Sequence, residues 1–210
     1  MSELFGTVPG TVLHEGRVQN GSSFVEVMKG VATGEALVKL EGLVVSICGG
    51  GSLPLADPIC FDVGQFSTMV TSRGGVLVHG GQNEGTSLAA ANAEPDSTLG
   101  ISCLYYELIP YGARAIVNSY QTRKMILAIM PHVVVFPGKV GTLDELMTCI
   151  GWIKSLKQQH AVPPHLWLHT YWWDVLELLK QKQAIQDFVW EHIHPFTDSS
   201  EIMANPIFNR

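Results

Sequence analysis

Three glycine-rich segments and a small set of charged residues carry the chemical interest of this 210-residue chain. Gly49-Gly50-Gly51-Ser52, Gly80-Gly81-Gln82-Asn83-Glu84-Gly85-Thr86-Ser87 and Pro137-Gly138-Lys139-Val140-Gly141-Thr142 each follow a short apolar run. Glycine lets backbone N–H groups approach an anion closely, and a helix starting just after the loop adds partial positive charge. One such loop also makes an ordinary strand-to-helix turn, but three in one chain point to a phosphate-bearing ligand. The candidate contacts are Gly49, Ser52, Gly81, Gly85, Thr86, Gly138, Gly141 and Thr142. Arg123, Lys124 and Lys139 supply cations, of which a guanidinium suits bidentate contact with phosphate or ribose hydroxyls. Asp144 and Glu145 supply carboxylates beside the third loop.

Several familiar nucleotide motifs are incomplete. The second loop nearly spells a P-loop, but Thr86 occupies the lysine position, which removes the γ-phosphate contact of a kinase or ATPase. No G-x-G-x-x-G fingerprint with a distal acid is present, so nothing requires NAD or ATP. Thr142-Leu143-Asp144-Glu145 has the spacing of a capping box. This predicts that Glu145 bonds the backbone N–H of the helix cap, with Asp144 complementing the helix dipole.

The elements that must position these groups are visible from residue 43 onward. Short β-branched runs at 43–48, 75–79, 97–103, 132–136 and 165–169 alternate with helix-length segments at about 55–73, 85–93, 118–130, 142–158 and 171–183. The clearest helical stripe is Leu143, Leu146, Met147, Ile150, Ile153 and Leu156. Apolar strands alternating with helices predict a doubly wound, Rossmann-like α/β domain, its parallel sheet covered on both faces. Such sheets bind ligands at the carboxyl ends of their strands, where all three loops fall. Residues 41–210 form this domain, and residues 1–40 are an N-terminal extension in which 25–40 has an amphipathic helical pattern.

Composition narrows the class. Charged residues are 15% of the chain, with 13 basic against 19 acidic for a formal charge of −6. That balance argues against a broad basic face for nucleic acid or membrane. No apolar run reaches the roughly 18 residues of a membrane span. The four cysteines, Cys48, Cys60, Cys103 and Cys149, form no C-x-x-C and read as reduced core thiols of a cytoplasmic protein without a signal peptide. Of the eight histidines, His165 and His169 lie four apart on a strand, about 13 Å and too far to share one ion. His192 and His194 could share a face but lack completing ligands, so no metal site is expected. Tyr171, Trp172, Trp173 and Trp152 read as core or interface aromatics.

The segment from Arg123-Lys124 to Pro137-Gly138-Lys139-Val140-Gly141-Thr142-Leu143-Asp144-Glu145 resembles the paired R-K and P-G-G-x-G-T-x-x-E motifs of the LOG ("lonely guy") family. These are nucleoside 5′-monophosphate phosphoribohydrolases once grouped as possible lysine decarboxylases. The likeness spans about 43–205 and includes Ile47-Cys48-Gly49-Gly50-Gly51-Ser52, Gly80 to Ala91, and Tyr171 to Leu179. Three departures stand out: Lys139 in place of the second motif glycine, an Arg-to-Glu interval one residue short, and Gln121-Thr122 where the family has His-Glu.

The resemblance implies hydrolysis of the N-glycosidic bond of a cytokinin riboside monophosphate or an AMP-like nucleotide, giving free base and ribose 5-phosphate. Arg123 and Glu145 would be catalytic, and the loop residues with Lys124, Lys139 and Asp144 would bind substrate. It further implies no cofactor and a homodimer with active sites near the subunit boundary. A pyridoxal-dependent decarboxylase would need a Ser-x-His-Lys-like context that the chain lacks. The rival expectation is a nucleotide-binding or sensor module without turnover, which Lys139 in the cradle favours. A third is a site for a signalling nucleotide related to ADP-ribose.

Overall fold

The computed structural model describes residues 43–103, 113–117 and 119–208. The extension 1–40 and its amphipathic pattern lie outside the described residues. β1 (Val44–Cys48), β2 (Val76–His79), β3 (Thr98–Cys103), β4 (Ala113–Val117), β5 (His132–Val135), β6 (His165–His169) and β7 (Ile193–Phe196) form one sheet in the order β4-β3-β2-β1-β5-β6-β7. Every neighbouring pair is parallel. The described helices are α1 (Pro58–Ser72), α2 (Gly85–Ala93), α3 (Tyr120–Ala128), α4 (Val140–Gln158), α5 (Trp173–Gln181), α6 (Asp187–Trp190) and α7 (Ser199–Ala204), with a 3₁₀ turn Thr170–Trp172 before α5.

Strand alternation divides the core between two faces. Val45 and Ile47 of β1, Val134 of β5 and Trp167 of β6 pack with Phe66, Ala90 and Met203 of α1, α2 and α7. Val44 and Cys48, with Val133 and Val135, pack with Leu127, Leu146, Ile153 and Leu176 of α3, α4 and α5. The domain is therefore doubly wound, as expected. Local signals start the helices where they do. Pro58 opens α1, whose first turn is capped by Asp57 accepting from Ile59 N at 2.9 Å. Ser119 caps α3 through Thr122 N at 3.1 Å.

The chain winds outward from β1 through β2 and β3 to β4, then crosses back to β5 on the other side of β1. The carboxyl ends of β1 and β5 thus diverge into a crevice, the place where ligands bind in open α/β sheets. The five strands expected from the sequence are the five inner ones, while the edge strands β4 and β7 carry too weak a pattern to have been expected. The third glycine-rich loop, 137–142, follows the run 132–136, which is β5. In the α4 stripe, Met147 is 39% exposed and does not join the core. Trp172 is buried and donates its indole N–H to Phe136 O at 3.0 Å, whereas Tyr171 is exposed. All four cysteines are free and buried. No described helix is long and apolar enough to cross a membrane.

Candidate functional site

The three glycine-rich loops meet through one residue. Gly50 N donates to Pro137 O at 3.0 Å in the loop after β5, and Gly50 O accepts from Thr86 N at 3.1 Å in the first turn of α2. The approach at α2 depends on Gly85. Its φ is +57°, and a Cβ there would overlap the Gly50 carbonyl. Between the loops lies a pocket of about 220 Å³.

Two helices begin at this pocket without side-chain caps. The N-cap residues are Glu84 for α2 and Lys139 for α4, and neither side chain bonds its own first turn. The first turn of α4 therefore presents backbone N–H groups and its dipole to the pocket, beside Lys139, Gly141 and Thr142 of the wall. The capping box expected at Thr142–Glu145 does not form. α4 starts at Val140, one turn earlier than that motif requires, so Thr142 lies inside the first turn. Glu145 turns into the protein instead of back toward the cap.

There it meets Arg123. The guanidinium Nη1 donates to Glu145 Oε1 at 2.9 Å, and the two side chains are only 5% and 8% exposed. Arg123 Nε donates to Gly80 O at 3.0 Å and to Ile101 O at 3.1 Å, which fixes the guanidinium against the ends of β2 and β3. Gly80 must lack a side chain, because a Cβ would occupy the position of the guanidinium. Burial pushes the Glu145 carboxyl above its ordinary value, although the Arg123 guanidinium bonded to it opposes the rise. Burial also drives the Cys48 and Cys149 thiols up, with Glu145 adding to both. His79 is pulled down to about 3 by burial and by Arg123. Its neutral ring accepts from Gly81 N at 3.2 Å through Nδ1.

A second ion pair runs alongside, with Lys124 Nζ 2.7 Å from Asp144 Oδ2. Both cations stand over the Tyr120 ring, at 5.8 Å for Arg123 and 5.5 Å for Lys124.

Of the residues expected at the site, Gly49, Ser52, Arg123, Lys139, Gly141, Thr142 and Glu145 line the pocket. Gly81, Gly85, Thr86, Gly138, Lys124 and Asp144 do not. Gly85 and Thr86 join α2 to Gly50, Gly138 packs against Thr142, Gly81 bonds His79, and Lys124 and Asp144 hold each other. The pocket also brings in Cys48, Gly80, Gln82, Glu84, Ser87 and Tyr120, which sequence reasoning did not single out. Tyr120 had a usable signal, since it precedes Arg123 by three positions and shares its helical face. Cys48 had none beyond its place next to Gly49.

A family described as "Possible lysine decarboxylase" matches residues 72–204 of the chain. The chain belongs to this family, the LOG family. No curated protein matches it significantly in sequence. Among solved structures, this LOG-family chain is similar to the molybdenum cofactor carrier protein of Chlamydomonas reinhardtii, with TM-score 0.60 and 16% identity over 78% of this chain and 95% of that one. It is also similar to the molybdenum cofactor binding protein of Rippkaea orientalis, with TM-score 0.56 and 18% identity over 79% and 96%. A third likeness is to DNA processing protein A of Helicobacter pylori, a single-stranded DNA binder, with TM-score 0.50 and 16% identity over 77% and 79%. At these identities the likenesses establish the Rossmann-like fold.

Proposed function

We propose that the protein hydrolyses the N-glycosidic bond of a nucleoside 5′-monophosphate, releasing free base and ribose 5-phosphate. The observation that carries this reading is the buried Arg123–Glu145 pair in the wall of a pocket that two uncapped helix N-termini also border. The anionic phosphate would sit at the first turn of α4, held by the backbone near Gly141, by Thr142 and by the exposed Lys139. Arg123 would not carry the phosphate itself, because its Nε and Nη1 are already committed. It would hold Glu145 toward the ribose.

As the C1′–N bond breaks, positive charge grows on the ribose ring, as in glycoside hydrolysis through an oxocarbenium-like transition state. A carboxylate in a poorly hydrated pocket stabilises that charge more strongly than one in water. Raised by burial, Glu145 is also suited to accept a proton from the attacking water. Phosphate binding away from the reacting carbon would orient the ribose, so a nucleoside without phosphate should be a poor substrate.

The test is release of free base from a panel of nucleoside monophosphates by the purified protein. Glu145→Gln should cut the rate by at least about 100-fold while nucleotide still raises the melting temperature. No release from any monophosphate would sink the reading.

A second reading is a carrier that binds a phosphate-bearing cofactor or nucleotide without turnover. It is favoured by the cofactor carrier and binding proteins among the structural neighbours and by Lys139, a direct cationic contact where the family motif has glycine. Thermal stabilisation by ligand without base release over long incubation would select it.

A further inference from the structure

The two uncapped helix starts at the pocket differ in charge. α4 begins behind Lys139, a cation, whereas α2 begins behind Glu84, which lines the pocket and makes no bond to its own helix. A helix N-terminus favours an anion, and a lysine beside it adds to that preference. A glutamate in the same place opposes it. A second phosphate at α2 would lie against the Glu84 charge, so that end of the pocket suits an uncharged group that can both donate and accept hydrogen bonds.

The side chain placed to meet such a group is Ser87. It is the third residue of α2, as Thr142 is the third of α4, and both line the pocket. Ser87 is 6% exposed, and its hydroxyl has no hydrogen-bond partner among the described residues. Buried hydroxyls are ordinarily paired, so one left open to a pocket points to a ligand. Gly80 fixes where this hydroxyl stands. A Cβ added to Gly80 would overlap Nη2 of Arg123 and would lie 3.2 Å from Ser87 Oγ. Ser87 and the guanidinium that holds Glu145 therefore come together around one point of the wall.

We propose that Ser87 binds the 2′-hydroxyl of the ribose and so selects ribonucleotides over 2′-deoxyribonucleotides. The choice of hydroxyl rests on the hydrolytic reading above. With the phosphate at the first turn of α4 and C1′ facing Glu145, the hydroxyl on the neighbouring carbon comes beside Arg123 and Ser87. In glycoside cleavage a hydrogen bond to this hydroxyl strengthens as charge grows on the ring, so the contact acts on kcat as well as on binding.

The experiment measures binding of ribose 5-phosphate and 2-deoxyribose 5-phosphate by calorimetry, which needs neither a base nor turnover. The wild-type protein should prefer the first by about fivefold. Ser87→Ala should weaken ribose 5-phosphate by that factor, leave the 2-deoxy sugar within about twofold, and so abolish the preference. A role in packing alone would weaken both sugars alike, and that result overturns the proposal, as does a wild-type protein with no preference or no binding of either. If Ser87→Ala does not fold, Ser87→Cys, which keeps the size and weakens the hydrogen bond, decides in its place: loss of the preference supports the proposal and its retention overturns it. Base release from a nucleoside monophosphate and its 2′-deoxy form separates this proposal from the reaction. If base is released and Ser87→Ala leaves the ratio of the two kcat values unchanged, the proposal falls and the hydrolytic reading stands. If the wild-type protein releases no base while the binding preference holds and is lost in Ser87→Ala, the hydrolytic reading falls and the ribose subsite stands.

Discussion

Arg123 and Glu145 illustrate how costly a buried ion pair is and why both partners must stay. Each has been taken almost entirely out of water, and each is compensated chiefly by the other. Removing the cation leaves an unpaired buried carboxylate, so Arg123→Ala should lose about 3–5 kcal/mol of stability, measured by urea unfolding. Glu145→Gln should destabilise too, since it leaves the buried Arg123 guanidinium without its counter-charge and keeps only a neutral amide oxygen as acceptor. The same desolvation sets the pH dependence of the proposed reaction. Burial raises the folded carboxyl, so Glu145 is protonated, and inactive as a base, up to a higher pH than an ordinary glutamate. Base release should therefore fall on the acid side through a midpoint above the usual carboxylate range. A pH–rate profile with its acid limb at an ordinary glutamate value would contradict this.

At the scale of elements, helices α3 and α4 are joined by two ion pairs, Arg123–Glu145 and Lys124–Asp144, of which only the first opens into the pocket. The opposite, amino edge of the sheet carries a different chemistry. His132 and His165 open β5 and β6, and His165 Nδ1 lies 3.0 Å from Nε2 of His194 on β7. His132 accepts from Trp167 Nε1 at 3.2 Å, and its ring lies 4.8 Å from that of Phe208. His192 packs on His165, with Lys157 and Glu191 as its charged neighbours. Burial first, then the neighbouring histidines, pull His132 and His194 down to about 4. A histidine whose folded pKa is depressed binds its proton more readily when unfolded. Stability is then full above the ordinary value near 6.5 and is lost as pH falls toward about 4. Between pH 7 and pH 5 the loss from well-buried His132 should be on the order of 2 kcal/mol, with a smaller, solvent-screened share from His194. Thermal unfolding at the two pH values checks this, and an unchanged melting temperature would refute it.

The whole molecule places its pocket where the winding of the sheet reverses between β1 and β5, and the loops from β1, β2 and β5 close around it. Its outer surface also bears on the low charge content of the chain. Leu55, Phe61, Val140, Tyr171 and Leu178 are large apolar residues left exposed. Scattered apolar residues are normal on surfaces, but Leu55 and Phe61 flank an apolar groove of about 810 Å³ along α1 and α2. We expect the protein to form a homodimer that covers part of this surface. Light scattering after size exclusion should give twice the mass of one chain, and a monomer at micromolar concentration would rule it out. The sequence by itself determined the inner strands, because strands covered on both faces must be apolar throughout and so stand out as continuous runs. It did not reveal β4 or β7, since an edge strand pairs on one side only and can carry Arg114 or Pro195. It also determined the three glycine loops and the Arg123 and Glu145 pattern, because backbone approach and ionic chemistry restrict which residue types can serve. Only the tertiary structure decided that Glu145 meets Arg123 instead of capping its own helix. That choice depends on where α4 begins and on what α3 brings beside it, and contacts between elements distant in the chain leave no trace in local spacing.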